Sequence, residues 1–224
     1  MRARRGVIIG WSVVALYAGL LAWTSLRALE RPHTSRQVTS DAAAPERFST
    51  AWERSRRSTF VAIGTYERRS GVTGAVLSSE DVVVQRPPQR LHRQMGGVEG
   101  RVDDRLIVCP APPTGQEDQA QPCRLGPPSG PSYAASVARE VAGVRSLMGG
   151  PRPLYRVRER RPGCFDLVLL RIEPRAPFGV RASFCFDATT GAVSSSTVRH
   201  EGGITEAVVV SAIRTAVTAA DLQP

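Results

Sequence analysis

The chain begins with an uncharged, apolar stretch that differs from everything after it. Residues 6–26 read GVIIGWSVVALYAGLLAWTSL, 21 residues without a charged side chain. A helix that rises about 1.5 Å per residue needs roughly 20 such residues to cross a bilayer. A cleaved signal peptide is the alternative, but its apolar region is usually only about 7–15 residues long. We therefore predict a cytoplasmic tail over residues 1–5, a retained transmembrane helix over 6–26 and a polar linker over 27–40.

Beyond residue 40, apolar residues recur with the period of a helix in some segments and with the period of a strand in others. A first helix is predicted around Pro45, where Phe48 and Trp52 lie at helical spacing. A second helix is predicted between Pro131 and Gly149, with an apolar stripe that would pack on a sheet. The members of that stripe are Tyr133, Val137, Val141, Val144 and Met148.

The remaining segments are rich in β-branched and aromatic residues and are separated by turn residues, as strands are. The predicted strands are 59–69, 75–86, 89–95, 105–109, 154–161, 164–172, 178–187, 192–200 and 205–217. Their connections are too short for βαβ crossovers. The pattern therefore predicts an α+β domain over residues 41–224, with an antiparallel sheet packed on one or two helices.

Four cysteines, Cys109, Cys123, Cys164 and Cys185, all follow the apolar stretch. Three disulfide pairings are possible in principle. The spacing favours two local bridges, Cys109–Cys123 and Cys164–Cys185, because the first would close a Pro- and Gln-rich loop of about 15 residues, worth roughly 3 kcal/mol. A zinc site is the alternative, but no C-x-x-C or histidine spacing supports it.

The segment between Cys164 and Cys185 allows a prediction of strand register. If residues 173–176 form the loop of a hairpin, Cys164 lies directly opposite Cys185, as a disulfide requires. Side chains alternate along a strand, so the same register collects one apolar face. That face consists of Phe165, Leu167, Leu169, Val180, Ala182, Phe184 and Phe186.

The charge distribution predicts an orientation in the membrane. The net charge is +10, every basic residue is arginine, and three arginines precede the apolar stretch. The positive-inside rule then places the N-terminus in the cytoplasm and the domain outside. The excess of arginine after the span indicates a solvated surface, since no zinc finger or aromatic RNA-binding motif favours nucleic acid. The absence of lysine and asparagine, beside abundant Ala, Val, Gly and Pro, is typical of a high-GC, actinobacteria-like genome.

No residue pattern in the chain supports catalysis or a cofactor. The sequence contains no G-x-S-x-G, H-E-x-x-H, S-x-x-K or C-x-x-C motif and no glycine-rich phosphate loop. The histidines, His33, His92 and His200, have no partner at metal-ligand spacing, and we expect them at the surface. We therefore predict a protein that is not an enzyme, with no catalytic or metal-binding residues and no cofactor.

Three local features give a resemblance to a known family. They are the strand–turn–strand FCFDATTGAVSS (184–195), the step QRPPQRL (85–91) and the closing segment TAVTAADLQP (215–224). With the element order, they resemble LolA/LolB-type lipoprotein carriers and mycobacterial envelope lipoproteins of related shape. The resemblance covers roughly residues 45–224. It implies a curved half-barrel sheet around an apolar cavity, although this chain has a predicted anchor where the family has a cleaved signal or a lipobox.

Two functions follow from these expectations. In the first, an anchored envelope domain binds a lipid or acyl chain on the apolar face defined above. In the second, that face is filled by the protein's own helix, and the outer surface docks another envelope protein. A cavity of about 300 Å³ or more between sheet and helix favours the first function, and a closed interface favours the second.

Overall fold

A single antiparallel sheet with two helices dominates the fold of this computed structural model. The structure describes residues 41–102, 105–112, 122–126, 130–173 and 176–224. The predicted tail, transmembrane helix and linker of residues 1–40 lie outside the described residues. Within the described ranges, no helix has the length and apolar character needed to cross a membrane.

Helices and strands follow one another in two similar series. The helices are α1 (Ala44–Arg57) and α2 (Tyr133–Met148). The first series of strands is β1 (Phe60–Arg69), β2 (Val76–Arg86), β3 (Gln89–Gln94), β4 (Gly97–Val102), β5 (Arg105–Cys109) and β6 (Arg124–Leu125). The second is β7 (Tyr155–Arg161), β8 (Cys164–Leu169), β9 (Arg181–Phe186), β10 (Val193–Arg199) and β11 (Thr205–Arg214).

Each series forms a meander, and the two meanders join into one sheet. The strand order is β6-β5-β4-β3-β2-β1-β11-β10-β9-β8-β7, with the last strand of the second series beside the first strand of the chain. All described pairings are antiparallel, and the sheet is curved. The predicted α+β class with an antiparallel sheet and two helices is therefore confirmed.

The sequence prediction missed two strands, the two-residue β6 (Arg124–Leu125) and the longer β4 (Gly97–Val102). The sequence of β4, GVEGRV, contains two glycines and follows Gly96, and a Gly-Gly pair is typical of a turn. Gly100 has a structural reason to be glycine. A Cβ atom there would lie 2.1 Å from the carbonyl oxygen of Arg90 on the neighbouring strand.

The hairpin between the cysteines has the predicted register. Cys164 pairs with Cys185 and Phe165 with Phe184, and disulfides join Cys164 to Cys185 and Cys109 to Cys123. The arms of this hairpin are shorter than expected, because β8 ends at Leu169 and β9 begins at Arg181. Ile172, predicted to be in a strand, is instead 85% exposed in the connection.

The largest hydrophobic cluster lies between the second meander and α1. Phe48 of α1 is fully buried and packs against the rings of Phe165, Phe178 and Phe184 at centroid distances of 5.4–6.2 Å. We expected α2 to cover this part of the sheet. Val144 and Met148 of α2 do belong to the cluster, but α1 supplies its central aromatic residue.

Residues 41–224 form one compact unit. This unit contains both disulfides and every buried hydrophobic cluster of the described residues. It therefore has the core and the cross-links of a domain that folds on its own.

Candidate functional site

The candidate site is the space between the first meander and the two helices, which we call the helix-facing groove. Two rows of side chains, set by the strand register, form its floor. One row runs through Phe60, Gln85, Arg90, Arg101 and Leu106. The next row runs through Ala62, Val83, His92, Glu99 and Val108. Both rows are apolar at their ends and polar in the middle.

Three adjoining cavities make up the groove. The first, about 180 Å³, lies between α1 and the sheet and includes Phe60, Ala62 and Val83 in its wall. The second, about 330 Å³, lies between strands β3–β5 and the start of α2, at Tyr133 and Ser136. The third, about 280 Å³, continues along β3–β5 toward Pro110 and Ala111. His92 lines all three cavities, so they adjoin one another at this residue.

A hydrogen-bonded cluster fixes α1 against α2 at the edge of the groove. The carboxylate oxygen Oε1 of Glu140 accepts hydrogen bonds from Nε1 of Trp52 and from Nε of Arg56, both at 2.9 Å. The Arg56 guanidinium also stacks over the Trp52 ring, 4.7 Å from its centroid. The Tyr133 hydroxyl donates to the carbonyl oxygen of Arg56 at 2.6 Å. These contacts join α1 to α2.

Gln85 ties the C-terminal end of α1 to the floor of the groove. Its side chain is fully buried, and its Nε2 donates to the carbonyl oxygens of Ser55 at 2.6 Å and Ser58 at 2.7 Å. Since the last carbonyl groups of a helix have no partner within the helix, this amide satisfies groups that burial would otherwise leave unpaired.

Arg90 lies at the junction of the first two cavities and lines both. Its Nε is shielded from solvent and has no hydrogen-bond partner among the described residues. Burial lowers the pKa of the Arg90 guanidinium to about 10, and the nearby positive charge of Arg56 adds to this effect.

His92 and Asp81 form a polar pair on the floor of the groove, which corrects the expectation of a surface histidine. Nε2 of His92 lies 2.8 Å from Oδ1 of Asp81, and the same oxygen accepts a hydrogen bond from Nε2 of Gln94 at 2.8 Å. Asp81 is only 4% exposed, while the neighbouring Glu80 faces solvent. The two partners come from different strands, so sequence spacing alone gave no signal of the pair.

The seven residues predicted to line a ligand site divide between the closed core and the groove. Phe184 lines the first cavity, beside Val193 of β10. Phe165, Leu167, Ala182 and Phe186 are buried in the large hydrophobic cluster, and half-buried Leu169 packs against it. Val180 is half-buried. Most of the predicted face thus lies in the core beside the groove.

The groove residues that the prediction missed have one recognisable signal in the sequence. Strand β3 reads QRLHRQ, and its alternation places Arg90, His92 and Gln94 on one face, with Leu91 fully buried on the other. Charged side chains on the helix-facing side of a strand are unusual for a core. Within the described residues, no cluster of histidine, cysteine, aspartate and glutamate has an arrangement that would hold a metal ion.

No family model and no curated protein matches this chain. Among solved structures, the chain is similar to MucB in the Pseudomonas aeruginosa MucA/MucB complex, with a TM-score of 0.45 and 18% identity. The match covers 82% of this chain and 61% of that chain, so this chain spans about three fifths of the MucB length.

Two further solved structures are also similar to this chain. A LolA superfamily protein from Nitrosomonas europaea gives a TM-score of 0.33 and 6% identity, with 82% of this chain and 99% of that chain covered. A putative outer membrane lipoprotein-sorting protein domain from Vibrio parahaemolyticus gives 0.24 and 11%, with 79% and 95% covered. The described residues form a curved antiparallel sheet with two helices, and the sequence resemblance likewise implied a curved sheet.

Proposed function

We propose that this domain binds a lipid or another hydrophobic ligand in the helix-facing groove. The observation that carries the proposal is the contrast between the two halves of the sheet. Over β7–β9, Phe48 of α1 packs into an aromatic cluster, whereas three adjoining cavities lie along the first meander, the first of which also extends over β10 and β11. The second cavity alone, at about 330 Å³, reaches the size of small-molecule sites, which are about 300–1,000 Å³.

The composition of the groove supports a ligand with a long apolar part. Phe60, Ala62 and Val83 line one end, and Leu106 and Val108 line the other. Burial of apolar surface contributes about 25 cal/mol per Å², so a chain lying along these walls gains affinity from its length.

A second candidate function is the docking of another envelope protein. It is favoured by three large apolar side chains at the β5–β6 edge of the sheet: Leu106, Val108 and Leu125 are 64%, 50% and 59% exposed. Leu106 and Val108 lie on one face of β5, and Leu125, which pairs with Ile107, lies on the other. Exposed apolar side chains at a strand edge are typical of interaction sites.

The proposed location is the outer side of the cell membrane, with a single-span anchor and a cytoplasmic N-terminus. The two disulfides support an oxidising compartment, because such bonds rarely persist in the bacterial cytosol. The expected result for a reporter fused to the C-terminus is activity outside the cytoplasm only. Recovery of a soluble protein beginning near residues 28–40 would contradict the retained anchor.

The test of ligand binding uses two alanines that face the helices in different halves of the sheet. Ala62 lines the first cavity, and Ala182 lies in the closed core. We expect Ala62→Leu to fill open space, change stability by less than about 1 kcal/mol and weaken binding of a fluorescent acyl probe. Ala182→Leu should instead overpack the core and cost about 1–3 kcal/mol.

Probe displacement and thermal unfolding of both variants separate the two functions. Ligand binding that is lost in Ala62→Leu and kept in folded Ala182→Leu supports the groove. If the parent domain binds no acyl probe, the binding proposal is wrong and the docking function remains.

A further inference from the structure

Arg90 has an unusual environment for a charged residue. It pairs in the sheet with Gln85 on one side and Arg101 on the other, so its row brings two arginines together on the floor of the groove. A charge removed from water is costly unless an opposite charge or several hydrogen bonds compensate it. What Arg90 can bind therefore depends on whether the charged residues near it already have partners of their own.

The nearby carboxylate of Glu140 is already engaged. It forms an ion pair with Arg56 at 2.9 Å and accepts the indole N–H of Trp52. On the other side, Arg101 donates to the carbonyl oxygen of Pro131 at 2.8 Å. Among the described residues, no ion pair or hydrogen bond includes the Arg90 side chain. Arg90 is thus a cation that lines the first two cavities and whose buried Nε has no partner among the described residues.

The surroundings of Arg90 define the shape of a matching ligand. Apolar walls extend in both directions from it, toward Phe60 and Ala62 in the first cavity and toward Leu106 in the second. A small inorganic anion would leave these walls empty, and an uncharged hydrocarbon would leave the guanidinium unpaired.

We infer that Arg90 binds the anionic group of an amphiphile whose apolar chain lies in the helix-facing groove. This inference rests on the proposed function and adds the class of ligand to it. A guanidinium donates two parallel hydrogen bonds to a carboxylate or a phosphate, so a fatty acid and an anionic lipid share the required chemistry.

The experiment compares ligands that differ only in their head group. Dodecanol, dodecanoate and dodecyl phosphate are titrated calorimetrically into the domain of residues 41–224, below their micelle concentrations. We expect at least one of the two anions to bind about 10- to 100-fold more tightly than the alcohol, since a charged hydrogen-bonded contact forms only with the anion. The anion that binds more tightly then shows whether the groove prefers a ligand with a carboxylate or one with a phosphate.

Variants at Arg90 assign this preference to one side chain. Arg90→Met replaces the guanidinium by an apolar side chain of similar length, and this variant should bind all three ligands with equal affinity. Arg90→Lys should keep part of the preference for the anions over the alcohol. Arg158→Met, which replaces an exposed arginine on β7, serves as the matched control and should keep all of it. Without ligand, Arg90→Met should melt at a higher temperature than the parent, because it removes a buried, unpaired charge.

Each outcome separates the inference from the proposed function. If the parent binds dodecanol as tightly as both anions, the inference is wrong and the hydrophobic groove stands. If the parent binds none of the three ligands, the proposed function itself is contradicted. A preference for anions that persists in Arg90→Met would also overturn the assignment to Arg90.

Discussion

At the scale of single residues, the groove depends on how charges are paired beneath and between the helices. Glu140 shows the balance most clearly. Burial raises the pKa of its carboxyl group. Hydrogen bonds from Arg56 and Trp52 and the positive charge of Arg56 together lower this pKa by a larger amount, so the net pKa lies below the ordinary value of 4.5. The ionised form of Glu140 is therefore the one that the folded state stabilises.

This balance predicts a pH-dependent contribution to stability. Because the folded pKa of Glu140 is depressed, its contribution is fully present above the ordinary value of 4.5 and is lost as the pH falls through the folded pKa. We expect Glu140→Gln to cost about 1 kcal/mol at neutral pH, since the pair is partly exposed. The difference from the parent should shrink in acid.

Denaturant unfolding at a series of pH values measures this difference. Glu67→Gln is the control, because Glu67 is exposed and should give a pH profile like that of the parent. A constant difference between parent and Glu140→Gln at every pH would show that the ionisation of Glu140 is not involved.

At the scale of elements, the sequence predicted the features that depend on residues close together in the chain, and missed those that depend on tertiary packing. The Cys164–Cys185 hairpin was predicted in its correct register, because the disulfide and the apolar face select the same pairing. Strand β4 was missed because its glycines serve a close approach to β3, which a single strand does not reveal. Likewise, the contribution of Phe48 to the core depends on where α1 lies across the sheet.

The two disulfides should differ in their effect on stability. Both loops are similar in length, with sequence separations of 14 and 21, so loop-closure entropy alone predicts roughly 3 kcal/mol for each. Cys164–Cys185 also fixes a register that aligns Phe165 with Phe184 in the core. We expect the double change of Cys164 and Cys185 to Ala to cost more than the same change at Cys109 and Cys123.

Thermal unfolding of the two double variants checks this order. Equal losses of melting temperature would show that register adds nothing to the entropy of loop closure. A larger loss for the Cys109 and Cys123 variant would mean that the β5 edge is the more critical part of the sheet.

At the scale of the whole molecule, the fold class was predictable but the position of the site was not. Alternation and turn residues indicated an antiparallel sheet with two helices. The groove arises where α1, α2 and the first meander meet, and Arg56, Arg90 and Glu140 come from three different elements. Sequence spacing cannot show that Arg56 of α1 pairs with the carboxylate of Glu140 in α2.

The two halves of the sheet therefore have different roles in this account. The second meander, with its aromatic cluster and central disulfide, forms the rigid side of the domain. The first meander leaves an open space under the helices, and its polar side chains are accessible to a ligand that enters this space. A closed core beside an open groove is the arrangement expected of a binding domain.

Native mass spectrometry tests the central claim most directly. The domain of residues 41–224 is incubated with dodecanoate, transferred to a volatile buffer and weighed without denaturation, beside the Ala62→Leu variant. The account predicts a parent mass increased by one ligand and a variant mostly at its bare mass. A parent domain that stays at its bare mass after incubation would contradict ligand binding in the helix-facing groove.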